Sequence, residues 1–196
     1  NSQRFGSLNF RFPSEAVFFY KFIYVTIKAG DFLAFKQILR ELETELSALE
    51  TYFYRQLEDC NPEIAEDIRY LIAAGGKRIR PAFCFLGAKF GNYDLDKILP
   101  LAAALEFIHM SSLTHDDVMD EAQLRRGEPT LSSIKGNKTA VHTGDYLVGL
   151  GLKISAFYDD AEMQKVLTHT IIEMCNGEMQ QQRTLFQVDQ SLRDYF

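Results

Sequence analysis

The chain has 196 residues, of which 46% are hydrophobic and 24% are charged, and its 27 acidic and 21 basic side chains give a formal net charge of −6. This length suits one domain with a sizeable core, and an acidic chain without a run of Lys or Arg is a poor candidate for binding nucleic acid. The three cysteines have no CxxC spacing. They indicate reduced thiols in a cytoplasmic protein, not disulfides or a zinc site.

Residues 1–30 are rich in aromatic side chains and differ in pattern from the rest. Their most apolar run, AVFFYKFIYVTI, is interrupted by Lys21 and is shorter than the ~20 apolar residues that span a bilayer, so no transmembrane segment is predicted. A basic start and a small-residue cleavage site, which mark a signal peptide, are not clear. We interpret residues 1–30 as an arm that packs on a partner subunit, or as a peculiarity of this sequence.

From residue 31 onwards the apolar residues have helical spacing. Along the first predicted helix they step by three and four: Phe35, Ile38, Leu39, Leu42, Leu46, Leu49 and Phe53. Asp31 is a candidate N-cap, and Asn61 with Pro62 marks a break. Further helices are predicted at 63–74, from Pro81 to about 91, and at 95–122, 138–158 and 160–186. No alternating strand pattern of useful length is present, so the sequence predicts an all-α antiparallel helical bundle for residues 31–196.

The predicted helix at 95–122 carries three aspartates within five positions. At ~100° per residue, Asp116 and Asp120 lie about 20° to either side of His109, whereas Asp117 lies about 100° from Asp116. Two carboxylates at i and i+4 suit Mg²⁺, which takes one or two protein carboxylates and completes its shell with water and substrate phosphate. The alternative is a solvated acidic helix end, although acids there oppose the helix dipole.

Two groups of basic residues complement these acids. Arg125 and Arg126 follow the helix and suit bidentate contacts with phosphate oxygens. The segment GGKRIRP, residues 75–81, places three cations directly after a glycine pair: Lys77, Arg78 and Arg80. The glycines permit a tight turn and close approach of a ligand to the backbone, whereas basic residues that only terminate a helix are the alternative. The spacing is not that of a P-loop. Acids for a metal and bases for phosphate together imply an enzyme for a diphosphate substrate.

Four segments carry a resemblance to a known family: GGKRIRP, ALEFIHMSSLTHDDVMDEAQLRRGEPT, GNKTAVHTGDYLVG and NGEMQQQ. They strongly resemble the trans-isoprenyl diphosphate synthases, or polyprenyl synthetases, over roughly residues 31–196. A DDxxD run followed by RRGxPT, behind a GGKRxRP block, is highly specific. The resemblance implies a bundle of antiparallel helices around a deep cavity, usually dimeric as a homodimer or a heterodimer. It also implies an Mg²⁺-dependent enzyme that joins isopentenyl diphosphate to an allylic diphosphate.

The resemblance also implies roles for individual residues. Asp116 and Asp120 match the aspartates that hold Mg²⁺ against the allylic diphosphate, and Arg125 matches the arginine on that diphosphate. The isopentenyl diphosphate pocket is matched by five residues, the first through its backbone: Gly76, Lys77, Arg80, His109 and Arg126. Three further positions recur in the family and support the metal or the walls of the site: Asp117, Glu178 and Gln181. His115 and His142 are assigned no role beyond structure.

The implied reaction begins when the allylic C–O bond ionises, because Mg²⁺ and arginines stabilise the charge on the departing diphosphate. The double bond of isopentenyl diphosphate then attacks the carbocation and a proton is lost, so His109 is expected to donate to phosphate and not to act as a general base. Chain length is expected to depend on Ser112 and Ser111, four and five positions before Asp116. Short-chain relatives tend to carry bulky aromatics there, so two serines predict an open tunnel and a long all-trans product.

The sequence departs from the family pattern in that it stops at Phe196, and the second aspartate-rich motif expected further along, with the lysine and threonine that usually precede it, is absent. We therefore expect an N-terminal fragment of an active enzyme, one that binds diphosphates weakly and does not turn over alone. A non-catalytic subunit that regulates or dimerises with a prenyl synthase is an alternative, although the intact DDVMD and RRG argue against it. Class I terpene cyclases and squalene-type synthases are a second alternative. They lack the GGKRxRP block, so Lys77 and Arg80 discriminate.

Overall fold

The structure is a computed structural model, and it describes residue 37 and residues 39–186. The chain divides into two compact units, the first ending at Ile154 and the second beginning at Ser155. In chain order the elements are α1 (Glu43–Arg55), α2 (Pro62–Ala73), α3 (Ile79–Ala88), α4 (Leu95–Met119), β1 (Leu124–Arg125), β2 (Glu128–Pro129), α5 (Leu131–Lys135), α6 (Asn137–Ser155) and α7 (Ala161–Thr184). These elements confirm the all-α prediction. The predicted arm at 1–30 lies outside the described residues, so the division of the chain at residue 31 stays a prediction.

Helix α4 is the central element of the first unit and packs against α1 and α3. It is buried on several sides, as expected of a helix that is apolar around much of its circumference. Ala102, Ala103 and Ala104 are fully buried and let neighbouring helices approach closely. One turn further on, the ring of Phe107 lies 4.9 Å from that of Phe53 on α1, measured between centroids. The site residues that follow on α4 are therefore carried by a helix whose preceding turns lie in the hydrophobic core of this unit.

The starts of α2 and α4 are fixed by their caps. The Asn61 side chain accepts a 2.9 Å hydrogen bond from the backbone N–H of Glu63, and Pro62 occupies the first turn, where its missing N–H costs nothing. Asp94 caps α4 in the same way, at 3.2 Å from the backbone nitrogen of Asp96. The predicted break before α2 is confirmed.

Several predicted boundaries differ from the structure by one to three residues, and two of these differences have a clear physical reason. Helix α3 begins at Ile79, before Pro81, because a proline in the first turn removes no intrahelical hydrogen bond. Helix α4 ends at Met119 instead of continuing to 122. Glu121 there adopts a left-handed φ of 52°, and the N–H of Ala122 bonds the carbonyl of Asp117 at 2.9 Å. That is the Schellman arrangement that closes helix C-termini.

A short hairpin and a short helix follow α4, and the sequence indicates neither as a regular element. The strands pair antiparallel with Arg125 opposite Glu128, which leaves Arg126 and Gly127 as a two-residue loop. Both loop residues have positive φ, 57° and 88°, as a type I′ turn requires. A strand of two residues is too short to show an alternation of polar and apolar side chains in the sequence. Helix α5 begins after Thr130, whose hydroxyl accepts the N–H of Ser133 at 3.2 Å.

Two glycines of α6 allow this helix to lie close against α4. An ideal Cβ on Gly151 would lie 2.7 Å from Cγ1 of Ile108 and 3.0 Å from the carbonyl oxygen of Ala104. A Cβ on Gly144 would collide with the ring of His115. The structural role expected of His115 is consistent with this packing and with the 3.4 Å approach of its Nε2 to the Asp145 carboxylate.

Substituting Gly151 with alanine should lower the free energy of unfolding by about 1 kcal/mol. Alanine favours a helix interior by up to ~1 kcal/mol relative to glycine, but overpacking against a neighbouring backbone costs ~1–3 kcal/mol, and the carbonyl of Ala104 cannot rotate away. Gly149 on the same helix is a matched control, because its Cβ would meet nothing within 4 Å. Urea unfolding should show destabilisation by G151A and stabilisation by G149A. Shifts of the same sign would contradict the close approach of the helices.

Candidate functional site

A pocket rich in cations lies where the α2–α3 connection, α4 and the hairpin meet. It is lined by Gly76, Lys77, Arg78, Ile79, Arg80, Glu106, His109 and Arg126. All five residues matched to isopentenyl diphosphate binding therefore line one pocket, although they come from three separate parts of the sequence. Lys77 and Arg80 are exposed and make no ion pair with other residues that the structure describes. An anion with several oxygens fits this arrangement of charge.

Arg126 ties the hairpin to the α2–α3 connection. Its left-handed backbone at the tip of the hairpin directs the guanidinium across to the carbonyl of Gly75, to which Nη1 donates a hydrogen bond. A Cβ on Gly76 would lie 3.0 Å from the same nitrogen. Gly76 thus leaves room for the guanidinium of Arg126, which a larger residue would displace slightly, a reason beyond the backbone approach expected from the sequence.

His109 lies half-buried on α4 among the pocket cations. Burial lowers its pKa to about 4, and the positive charges of Arg80, Arg126 and Arg125 add to this effect. The imidazole is therefore neutral at neutral pH and carries one N–H donor. A neutral donor suits a contact to phosphate, as expected from the resemblance.

His109 should make the protein less stable as the pH falls from 6.5 towards 4. Above pH 6.5 the imidazole is neutral in both the folded and the unfolded protein. Below pH 6.5 it becomes protonated in the unfolded chain, whereas in the folded protein it stays neutral until about pH 4. Replacing His109 with glutamine should flatten this dependence. Urea unfolding at pH 7 and pH 5 measures it, with His142→Gln as the exposed control. Equal losses of stability in wild type and H109Q would contradict the depressed pKa.

Arg125 and Asp117 form an ion pair at the base of the hairpin. Nε of Arg125 lies 2.7 Å from Oδ1 of Asp117, whose side chain is almost wholly buried. The bond to Asp117 uses only Nε, and the two terminal guanidinium nitrogens of Arg125 donate to no side chain among the described residues. Asp117 therefore neutralises and orients an arginine, consistent with the helical geometry that sets it apart from Asp116.

Asp116 and Asp120 lie one turn apart at the end of α4, and neither carboxylate accepts a hydrogen bond or ion pair from another described residue. Partial burial raises the pKa of Asp116. The nearby Arg125 opposes this rise, while the negative charges of Asp120 and Asp117 add to it. A cation between the two carboxylates would relieve this repulsion. Hard oxygen donors with uncompensated charge fit Mg²⁺.

The two aspartates alone form only part of a metal shell. Among residue 37 and residues 39–186, no cluster of three or more His, Cys, Asp or Glu side chains is arranged to hold a metal ion. A metal at Asp116 and Asp120 would therefore need water or phosphate oxygens as its remaining ligands, which is the habit of Mg²⁺.

The other predicted positions have less defined surroundings. Ser111 is 1% exposed, and its hydroxyl has no hydrogen-bond partner among the described residues, whereas Ser112 donates to the carbonyl of His109 at 3.1 Å. Glu178 and Gln181 are exposed on α7, in the second unit. Their roles stay predictions.

Two residues that hold the hairpin were not assigned a role from the sequence. The hydroxyl of Tyr70 on α2 donates to the carbonyl of Pro129 at 2.5 Å, and the Thr130 hydroxyl donates to the carbonyl of Ala122 at 2.7 Å. Thr130 belongs to the quoted RRGEPT run, so its motif was a signal. Tyr70 lies 59 positions before Pro129 and belongs to no motif, so the sequence carried no signal for its role.

Comparison with known proteins agrees with this architecture. A family model described as polyprenyl synthetase matches residues 61–196. The chain belongs to the polyprenyl synthetase family. Component 2 of heptaprenyl diphosphate synthase from Geobacillus stearothermophilus is 44% identical over 154 residues, which cover 79% of this chain and 48% of that protein. None of the helices among the described residues has the length and apolar character to span a bilayer.

Solved structures of the family share the fold, which confirms the isoprenoid synthase architecture. The heptaprenyl diphosphate synthase from Staphylococcus aureus has a TM-score of 0.74 and 32% identity, covering 79% of this chain and 49% of that one. A polyprenyl synthase from Caulobacter crescentus, complexed with calcium and isoprenyl diphosphate, has a TM-score of 0.76 and 29% identity, covering 82% and 49%. The chain thus spans about half the length of these relatives.

Proposed function

We propose that the protein is a trans-prenyltransferase that condenses isopentenyl diphosphate with an allylic diphosphate to make a long all-trans polyprenyl diphosphate. One observation carries this proposal: a cationic pocket and a pair of uncompensated carboxylates share helix α4. His109 in the pocket and Asp116 at the carboxylate pair are seven residues apart, which is about 10 Å along the helix axis. Two diphosphate groups, one with a metal and one without, fit this spacing.

In the proposed reaction the residues of this chain bind and orient the two substrates. Asp116 and Asp120 would hold Mg²⁺, which when bound supplies charge stabilisation for a departing diphosphate. Arg125, oriented by Asp117, stabilises the same developing charge as the allylic C–O bond breaks. The Caulobacter relative is complexed with calcium and isoprenyl diphosphate, which supports the binding of both a divalent cation and a prenyl diphosphate in this family.

The second substrate is held by the pocket. Lys77, Arg80 and Arg126 bind the diphosphate of isopentenyl diphosphate, and the neutral His109 adds one N–H. The double bond of this substrate forms the new C–C bond with the allylic carbon, and the released diphosphate accepts the proton that is then lost. His109 is a poor proton acceptor for this step, because its pKa is about 4.

We also propose that the protein acts with a second polypeptide. The Geobacillus relative is named as component 2 of its synthase, which supports a heteromeric assembly. A homodimer is the other arrangement. A non-catalytic regulatory subunit is the other functional interpretation, and it leaves the free carboxylates of Asp116 and Asp120 without a use.

Incorporation of labelled isopentenyl diphosphate tests the proposed function. The intact natural protein that contains these residues, and the 196-residue chain beside it, would be incubated with farnesyl diphosphate and Mg²⁺, alone and with partner subunits from the same source. We expect long prenyl products from the intact protein and none after chelation of the metal. Absence of elongation under every condition would exclude the enzyme and favour the regulatory subunit.

Product length should respond to Ser111. Phenylalanine at this buried position should shorten the product, and overpacking should also cost ~1–3 kcal/mol of stability. Ser111→Ala is the matched control, because it removes only an unpartnered hydroxyl and should leave product length unchanged. Product analysis by chromatography, with thermal unfolding alongside, measures both effects. An unchanged distribution in folded S111F would contradict a role in chain length.

A further inference from the structure

Arg78 is the middle cation of GGKRIRP, yet its surroundings differ from those of Lys77 and Arg80. Its side chain is 9% exposed, whereas Lys77 and Arg80 are exposed and have no ion-pair partner among the described residues. Its backbone has a left-handed φ of 47°, a conformation that costs a non-glycine residue ~1–2 kcal/mol. A residue is held in such a conformation when surrounding contacts determine it.

Those contacts use every nitrogen of the guanidinium. Nε donates to Glu50 on α1 at 2.7 Å, and Nη1 donates to Glu106 on α4 at 3.2 Å. Nη2 donates to the carbonyl of Ile72 on α2 at 3.3 Å, and the group lies 5.3 Å from the centre of the Phe53 ring. Arg78 therefore joins three helices at one point, directly before the start of α3.

This anchorage fixes the backbone on which the free cations are mounted. Lys77 precedes Arg78, and Arg80 follows it within the first turn of α3. With two carboxylates around it, Arg78 has its charge compensated and adds little attraction for an incoming anion. All three cations of the motif line the pocket, but Arg78 is buried and paired with two carboxylates, whereas Lys77 and Arg80 are exposed and have no ion-pair partner among the described residues.

We propose that Arg78 is a positioning residue, which sets the geometry of Lys77 and Arg80 for isopentenyl diphosphate without itself binding the diphosphate. This proposal rests on the proposed function. The opposite interpretation is that Arg78 turns towards the substrate as a third direct ligand. The two interpretations differ in the effect of Glu50. Weakening the contact to Glu50 loosens the loop if Arg78 is an anchor, but frees the guanidinium if it is a ligand.

Calorimetric binding of isopentenyl diphosphate alone tests this difference, because without an allylic primer no turnover occurs. The first variant, Arg78→Lys, keeps the positive charge but loses the planar guanidinium that donates to three partners. The second, Glu50→Gln, keeps the size and shape of the side chain but loses its negative charge. Arg69→Lys, an exposed change on α2, is the matched control. Loss of one charge-assisted hydrogen bond should weaken binding about tenfold in R78K and about threefold in E50Q. R69K should bind as wild type does.

Binding of farnesyl diphosphate with Mg²⁺ should stay within about twofold of wild type in all three variants, which separates loop positioning from general loss of structure. Tighter or unchanged binding of isopentenyl diphosphate by E50Q would overturn the proposal. If circular dichroism shows that R78K is unfolded, the affinity of E50Q for isopentenyl diphosphate tests the proposal by itself. If wild type binds no isopentenyl diphosphate, the proposed function falls and this inference with it. If wild type binds and E50Q matches R69K, only the inference falls.

Discussion

Replacing Asp116 with asparagine should lower kcat by about a hundredfold to a thousandfold, the usual effect of losing one group that stabilises developing charge. The carboxylate is half-buried beside Asp120 and Asp117, and repulsion from them adds to the effect of burial in raising its pKa. That repulsion is tolerated where a cation binds, and an amide cannot replace a carboxylate as a ligand of comparable charge. Steady-state kinetics at saturating Mg²⁺ measures the loss.

The affinity of D116N for isopentenyl diphosphate should change little, because the pocket lies about 10 Å away along α4. Asp96→Asn is the matched control, since it makes the same chemical change in the first turn of the same helix, ~30 Å from Asp116. It should keep wild-type kcat. D116N with kcat near that of the control would show that this carboxylate holds no catalytic metal.

Replacing Arg126 with alanine should raise KM for isopentenyl diphosphate about a hundredfold, since truncating a hydrogen-bonded charge commonly costs ~2–5 kcal/mol. The variant loses a pocket cation and also the bond from the hairpin to the carbonyl of Gly75. KM for the allylic substrate should rise much less, because Arg125 and its partner Asp117 are retained. Initial rates with each substrate varied in turn measure the two constants.

Arg126→Lys separates charge from geometry. Lysine keeps the positive charge and, like alanine, is a non-glycine residue at φ 57°, so backbone strain is the same in both variants. We expect an intermediate rise of about tenfold, because the planar fork is lost. Equal rises in both Michaelis constants for R126A would instead indicate collapse of the hairpin.

Most of the fold follows from local signals in the sequence. The helices of the first unit are marked by apolar spacing, so their existence is predictable, and the caps Asn61 and Asp94 mark the starts of α2 and α4. Boundaries fail where a rarer conformation decides them. Glu121 ends α4 with a left-handed backbone that glycine would normally supply, and nothing in the local sequence announces this.

Which residues belong to the site was more predictable than which of them contact one another. Helical geometry alone separates Asp117 from Asp116 and Asp120, and the structure gives the physical counterpart in the bond from Asp117 to Arg125. Arg78 shows where such reasoning stops. Its partners Glu50 and Glu106 are each 28 residues away, and only the packing of α1 and α4 brings them to it. Counting charges in a motif cannot reveal which of them is already compensated.

Binding of the two diphosphates with and without Mg²⁺ bears most directly on the assignment of this site. The one acidic residue that lines the pocket, Glu106, is paired with Arg78, and the other ionisable groups are cations and a neutral histidine. The affinity for isopentenyl diphosphate should therefore change by less than about threefold on chelation of the metal. The affinity for farnesyl diphosphate should fall more than about tenfold, since it depends on a metal held by Asp116 and Asp120. Equal metal dependence of the two ligands, or binding of neither, would contradict a metal-free pocket beside a metal-dependent one.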